Sequence, residues 1–155
     1  MRRAAFVHGF ELQYKNISPK IVAEEYLEND NHSLDDYKIF CFNGLPKMIP
    51  YNTDRHNGLK MAYFDCDWNL LPLGRDNFEK LEALPERPHQ LDEMLQVATK
   101  LAAGFDFVRV DLYLPNDGKV RFGEMTFTPH SGVNKWNSKE ADLMLGEMLS
   151  LPFRV

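Results

Sequence analysis

The residues whose spacing carries the most chemistry lie in Arg109-Val-Asp-Leu-Tyr-Leu-Pro-Asn-Asp-Gly-Lys-Val-Arg-Phe-Gly-Glu-Met-Thr126, two β-prone runs around an Asp-Gly pair. If Asp117-Gly118 forms a two-residue hairpin loop, the favoured type I′ chemistry, Asn116 pairs with Lys119 and every other cross-strand pair follows. Asp111 then stands opposite Glu124, and Arg109 opposite Thr126, on one face, because strand side chains repeat with a period of two. Val108, Val110, Leu112 and Leu114 point the other way, toward a core. Two carboxylates directly across a ladder are about 5 Å apart and repel. A divalent cation reverses that sign. Hard oxygen ligands with no His or Cys close in sequence suit Mg²⁺, with Mn²⁺ also admissible, and Mg²⁺ held by one or two carboxylates usually holds a substrate phosphate too. The competing reading is a solvated polar face on which Arg109 merely offsets Asp111, and a register error of one residue would separate the acids.

The elements that must position this hairpin are legible on either side. Val22-Ala-Glu-Glu-Tyr-Leu27 reads as a short strand, and Asp36-Tyr-Lys-Ile-Phe-Cys-Phe42 as another, bounded by the Asn43-Gly44 turn. Lys47-Met-Ile-Pro-Tyr51 returns against it and Lys60-Met-Ala-Tyr-Phe64 adds a further strand, after which the chain to Pro88 reads as loop. From Gln90 the period changes. Leu91, Met94, Leu95, Ala98, Leu101 and Ala102 fall at helical spacing, with Gly104 as a left-handed stop. Asn137-x-x-Glu140 resembles a capping box for a closing helix with Ala141, Met144, Leu145, Met148 and Leu149 on one face. The expected fold class is α+β, a mixed and mainly antiparallel sheet with helices packed on one side.

Composition narrows the function classes. A chain of 155 residues, 44% hydrophobic and 26% charged, is one globular domain of ordinary size. No apolar run reaches transmembrane length, and the run after Met1-Arg-Arg is too short for a secretory signal, so a cytoplasmic location is expected. The formal net charge of -5 argues against nucleic acid as a partner. His8, His32, His56, His89 and His130 lack zinc-site spacing. Cys41 and Cys66 form no CxxC pair, and Cys41 reads as a small buried hydrophobe.

With these blocks in order, the chain resembles the C-terminal portion of ATP-grasp enzymes, and more narrowly the teichuronopeptide-biosynthesis type among polysaccharide-biosynthesis proteins. The resemblance rests on Tyr14-Lys-Asn-Ile-Ser-Pro-Lys-Ile-Val-Ala-Glu-Glu-Tyr-Leu27, Asp36-Tyr-Lys-Ile-Phe-Cys-Phe-Asn-Gly44, Tyr63-Phe-Asp-Cys-Asp-Trp68, Phe107-Val-Arg-Val-Asp-Leu-Tyr113 and Phe122-Gly-Glu-Met-Thr-Phe-Thr-Pro129. It implies an ATP- and Mg²⁺-dependent carboxylate ligase working through an acyl-phosphate, with ATP and an amino-acid or glycan carboxylate as substrates. By the resemblance, Asp111 and Glu124 match the metal-binding acids, and Thr126 stands where an Asn ligand is common. Arg109 matches the cation that stabilises the transferring phosphoryl group. Glu24, Tyr26 and Leu27 match the hinge strand at the adenine, and Asp36 matches the acid that takes the ribose hydroxyls. Lys38 is a phosphate candidate, and Arg55 a phosphate or substrate candidate.

The family also implies a preceding subdomain with a Gly-bearing loop and paired lysines, which this sequence does not display. Residues 1–20 are therefore expected to be the remnant of that subdomain and residues 21–155 the C-terminal ATP-grasp-like domain, to be completed by a complementing N-terminal half or covered by self-association. Two further readings stay open. One is an inactive remnant or Mg-nucleotide-binding half-module; the other is a glycosyltransferase using Asp65-Cys66-Asp67 as an Asp-x-Asp metal motif.

Overall fold

From Ile39 to Phe42 the apolar residues run without a break, as in a strand covered on both faces, and this segment lies inside the sheet. The computed structural model describes residues 15–18, 20–27, 34–53, 60–74, 79–81, 83–133 and 135–151. Among these residues six strands make one sheet: β1 (Asp36–Phe42), β2 (Leu45–Thr53), β3 (Lys60–Phe64), β4 (Glu79–Lys80), β5 (Phe107–Tyr113) and β6 (Arg121–Thr126), in the order β4-β3-β2-β1-β5-β6. All pairs are antiparallel except β3 with β4. The short parallel edge pair falls in a stretch expected to be loop, as does an isolated bridge between Phe64 and Leu70. With helices α1 (Leu91–Ala102) and α2 (Lys139–Glu147), the expected α+β class is what the structure has.

Alternation on β1 divides the core in two. Tyr37, Ile39 and Cys41 pack with Ile49, Tyr51 and Phe64 under Leu91, Met94, Ala98 and Ala102 of α1. Ala98 and Ala102, both fully buried, let that helix approach the sheet closely. Phe40 and Phe42, of the opposite parity, join Met48, Tyr63 and Leu145 of α2 in a second cluster. The Asn43-Gly44 turn has both residues at positive φ, 50° and 79°, the type I′ requirement. The Asn43 side chain then ties the far end of the chain. Its Nδ2 donates to the Ser150 carbonyl at 2.7 Å, and its Oδ1 accepts from the Ser150 amide at 2.8 Å.

Three local expectations are corrected. Residues 22–27 form no strand: Val22 and Tyr26 are exposed, and no ladder partner is present for them among the described residues. The cap of α2 is Ser138 rather than Asn137, its hydroxyl accepting from the Ala141 amide at 3.1 Å. The β5–β6 connection runs over residues 114–120 rather than Asp117-Gly118 alone. Asp117 Oδ1 accepts the Lys119 amide at 3.0 Å, and Gly118 N–H donates to the Pro115 carbonyl at 2.9 Å, which removes the Asn116–Lys119 pair from the ladder.

Candidate functional site

The site is built on three adjacent strands. Across β1, β5 and β6 the register aligns Lys38 with Asp111 and Asp111 with Glu124 in one row, and Phe40, Arg109 and Thr126 in the next. The Asp111–Glu124 opposition is the one expected from the sequence. It is reached through a bulge: Leu112 pairs with Phe122 and Tyr113 with Arg121, so Gly123 is an extra residue between two registers. A Cβ on Gly123 would lie 2.8 Å from Tyr113 Cε2 and 3.0 Å from the Asp111 carbonyl oxygen. A side chain there would force the Tyr113 ring or the Asp111 backbone to shift, and a lone Gly inside a strand pattern is the available signal for the bulge.

Five charged side chains interlock on this face. Arg109 Nε donates to Asp111 Oδ1 at 2.6 Å and Nη2 to Asp111 Oδ2 at 2.7 Å, while Nη2 also donates to Glu124 Oε1 at 2.6 Å. Lys38 Nζ reaches Asp111 Oδ2 at 2.6 Å and Asp36 Oδ2 at 2.7 Å. The Thr126 hydroxyl donates to Glu124 Oε1 at 2.8 Å. The row runs from inside to outside, since the Asp111 side chain is 2% exposed, that of Lys38 18% and that of Glu124 61%. Asp36 is fully buried, with Asn52 on β2 and Tyr113 on β5 as its register partners. Asn52 is buried as well, and its Oδ1 has no hydrogen-bond partner among the described residues.

Among the described residues no three His, Cys, Asp or Glu side chains converge as a metal-binding group. The donor set nonetheless suits one Mg²⁺ shared with a phosphate, which needs only one or two carboxylates. A single cationic nitrogen, Arg109 Nη2, already touches both Asp111 and Glu124, so the two carboxylates converge on one centre of positive charge.

Phe40 leads from the charged row into an apolar one. Phe40, Phe42, Phe107, Trp136, Asp142 and Leu145 line a cavity of about 340 Å³ beside the site. Sequence reasoning did not find this cavity, because its walls come from two strands, a loop and α2. The remaining candidates lie elsewhere. Glu24, Tyr26 and Leu27 belong to the unpaired segment of residues 20–27, and no strand pairing brings them to the acids. Arg55 lies outside the described residues.

Asp65-Cys66-Asp67 follows β3 and serves a turn. Asp65 Oδ1 accepts from the Asp67 and Asn69 amides at 2.9 and 2.8 Å, and Oδ2 accepts from Asn69 Nδ2 at 2.9 Å. Burial alone would raise the Asp65 carboxyl, but the donors from Asn69 and Asp67 outweigh it and hold the group below the usual value of 3.8. The turn sets Trp68 at φ 69° with its ring stacked on Phe64, centroids 4.2 Å apart. Burial, with Asp65 and Asp67 adding to it, raises the Cys66 thiol. Both oxygens of Asp65 are therefore occupied by local donors.

No helix among the described residues is long and apolar enough to cross a membrane. No curated protein and no solved structure matches the chain. A family model described as TupA-like ATPgrasp matches residues 1–150, nearly the whole length, in agreement with the blocks on which the resemblance was based. The chain belongs to the TupA-like ATP-grasp family.

Proposed function

We propose that Asp111 and Glu124 hold a Mg²⁺–nucleotide on the open face of β5 and β6, and that the chain serves an ATP-dependent carboxylate ligation in cell-surface polysaccharide or teichuronopeptide biosynthesis. Membership of the ATP-grasp family carries a ligase-like function and ATP with a carboxylate as the substrate classes. The observation that carries the rest is the row Lys38–Asp111–Glu124, bridged by one Arg109 nitrogen. It gathers two hard anionic ligands and two cations at the edge of an apolar cavity.

In the reaction a substrate carboxylate oxygen attacks the γ-phosphorus, the bond to ADP breaks, and an acyl-phosphate forms. The acceptor amine then attacks the acyl carbon, phosphate leaves and the amine loses a proton. Mg²⁺, when bound by Asp111 and Glu124, neutralises phosphate charge and orients the nucleotide. Arg109 fixes both acids in place and puts a planar cation beside the transferring group. Thr126 orients the Glu124 carboxylate through its hydroxyl and adds a weak oxygen ligand. Lys38 supplies an ammonium for a phosphate oxygen. From the resemblance alone, Glu24, Tyr26 and Leu27 are assigned to the adenine and Arg55 to a phosphate or the substrate.

The test is calorimetric titration with Mg-ATP, followed by hydroxylamine trapping of acyl-phosphate in the presence of candidate amino-acid and glycan carboxylates. Mg-dependent nucleotide binding that Glu124→Gln abolishes, with hydroxamate formed, supports the ligase. Binding without hydroxamate under any substrate supports a Mg-nucleotide-binding module instead. Absence of Mg-dependent binding refutes both. No structural observation favours the glycosyltransferase reading, since Asp65 is engaged within its own turn.

A further inference from the structure

Lys38 has two carboxylate partners, and they differ in what they can reach. Its ammonium lies 2.6 Å from Asp111 Oδ2 and 2.7 Å from Asp36 Oδ2. Asp111, itself 2% exposed, is in register with the 61% exposed Glu124, so the two acids can share a ligand. Asp36 is 0% exposed and sits between Asn52 and Tyr113 inside the sheet.

A metal ion that approaches Asp111 must displace one of the cations covering it. Arg109 is held by a two-point fork to Asp111 and by Glu124 as well. Lys38 touches Asp111 through one contact, is the more exposed of the two cations, and keeps a second carboxylate when that contact is lost. Lys38 is therefore the group that yields. Asp36 also sets the charge that the metal meets. Three acids and two bases give the network a formal charge of -1, and without Asp36 it would be neutral.

We infer that Asp36 is a positioning residue for Lys38: it anchors the ammonium while Asp111 passes from Lys38 to the metal, leaving Lys38 aimed at a nucleotide phosphate rather than released into solvent. This rests on the reading of Asp111 and Glu124 as metal ligands. It gives Asp36 a different task from the ribose contact that the resemblance implies: holding the Lys38 ammonium through Oδ2.

The test is Mn²⁺ affinity of the full chain by electron paramagnetic resonance, with nucleotide absent, in a double-mutant cycle of Asp36→Asn and Lys38→Gln. Lys38→Gln should tighten Mn²⁺, because it removes the competitor for Asp111. Asp36→Asn should weaken it while Lys38 is present, because Lys38 then has Asp111 as its one remaining partner. In the Lys38→Gln background the effect of Asp36→Asn should shrink by roughly threefold or more, the coupling expected of residues in one network. Equal effects in both backgrounds would mean that Asp36 acts on the metal by charge alone and would overturn the inference. In a parallel titration with nucleotide, an Asp36→Asn loss of affinity confined to ATP and absent for 2′,3′-dideoxy-ATP, the mark of a ribose contact, would overturn it too. If Asp36→Asn does not fold, Lys38→Gln still decides, since unchanged or weaker Mn²⁺ binding refutes a yielding Lys38. Wild-type Mn²⁺ binding that survives Glu124→Gln, or no binding at all, would instead refute the metal-site reading and the inference with it.

Discussion

Arg109 and Asp111 stand two residues apart on β5 and are joined by a two-point fork, Nε to Oδ1 at 2.6 Å and Nη2 to Oδ2 at 2.7 Å. Neighbours of the same parity share a strand face, so the pair needs no long-range folding to meet. It also changes the sign of the Asp111–Glu124 relationship. Taken alone, two carboxylates in register repel. With Arg109 Nη2 bonded to both, the pair is bridged before any metal arrives. Metal binding at this row thus competes with cations already in place, Lys38 yielding while Arg109 keeps its fork, rather than relieving a bare repulsion.

That competition predicts how the fold responds to mutation. Deleting one member of a buried ion pair leaves the other uncompensated, at a typical cost of about 3–5 kcal/mol. Arg109→Leu is expected to destabilise the chain by that order, since Asp111 is 2% exposed and would retain Lys38 alone. Asp111→Ala is likewise expected to destabilise it without metal, although repulsion between bare carboxylates would predict the opposite. Urea unfolding at neutral pH checks both. A metal-free Asp111→Ala protein as stable as wild type would mean that the Arg109 fork contributes nothing.

Glu124 should behave differently from Asp111. Its side chain is 61% exposed, and exposed ion pairs contribute little. Glu124→Gln is expected to shift stability by no more than about 0.5 kcal/mol while abolishing Mg-dependent nucleotide binding. Thermal melts set beside calorimetric titration separate the two effects. Loss of both together would make Glu124 a structural group.

Most of this hairpin was legible because strand parity alone puts Arg109, Asp111, Glu124 and Thr126 on one face. The expected Asp111–Glu124 register nevertheless rested on a two-residue loop that does not exist. The loop at residues 114–120 and the extra residue Gly123 displace the pairing in opposite senses and cancel at Asp111. Asp36–Phe42 and Lys60–Phe64 came out with their full boundaries, their ends marked by turn residues and apolar runs. Residues 22–27 have strand-like composition, but a strand is defined by its partner, which no local pattern supplies. Lys38 shows the same limit. Its place beside Asp111 depends on β1 pairing with β5 across the α1 crossover, a contact that periodicity cannot specify.

The bulge makes its own prediction. Gly123→Ala sets a methyl group 2.8 Å from the Tyr113 ring and 3.0 Å from the Asp111 carbonyl oxygen, distances that a neighbour must relieve by moving. Overpacking of this kind costs about 1–3 kcal/mol, and here the backbone that moves carries Asp111. The expected outcome is a lower unfolding midpoint together with weakened Mg-nucleotide affinity. Unchanged affinity in a destabilised protein would show that the bulge supports the sheet without setting the site.

The Asp65 turn gives a pH dependence whose sign is fixed. Hydrogen bonds from Asn69 and Asp67 hold the folded-state carboxyl below its usual value of 3.8, so the ionised form stabilises the fold. That contribution is fully present above the unfolded-state value and is lost as pH falls through the folded-state one. Asp65→Ala removes all three acceptor contacts and should cost about 1–2 kcal/mol at neutral pH, loosening the Trp68–Phe64 stack it supports. The difference from wild type should narrow as pH is lowered past 3.8. Urea titrations at pH 7, 5, 4 and 3, following Trp fluorescence, read both quantities. A gap that stays constant with pH would show that the turn needs the shape of Asp65 and not its charge, whereas loss of metal-dependent nucleotide binding in Asp65→Ala would move the metal from the β5–β6 row to this turn.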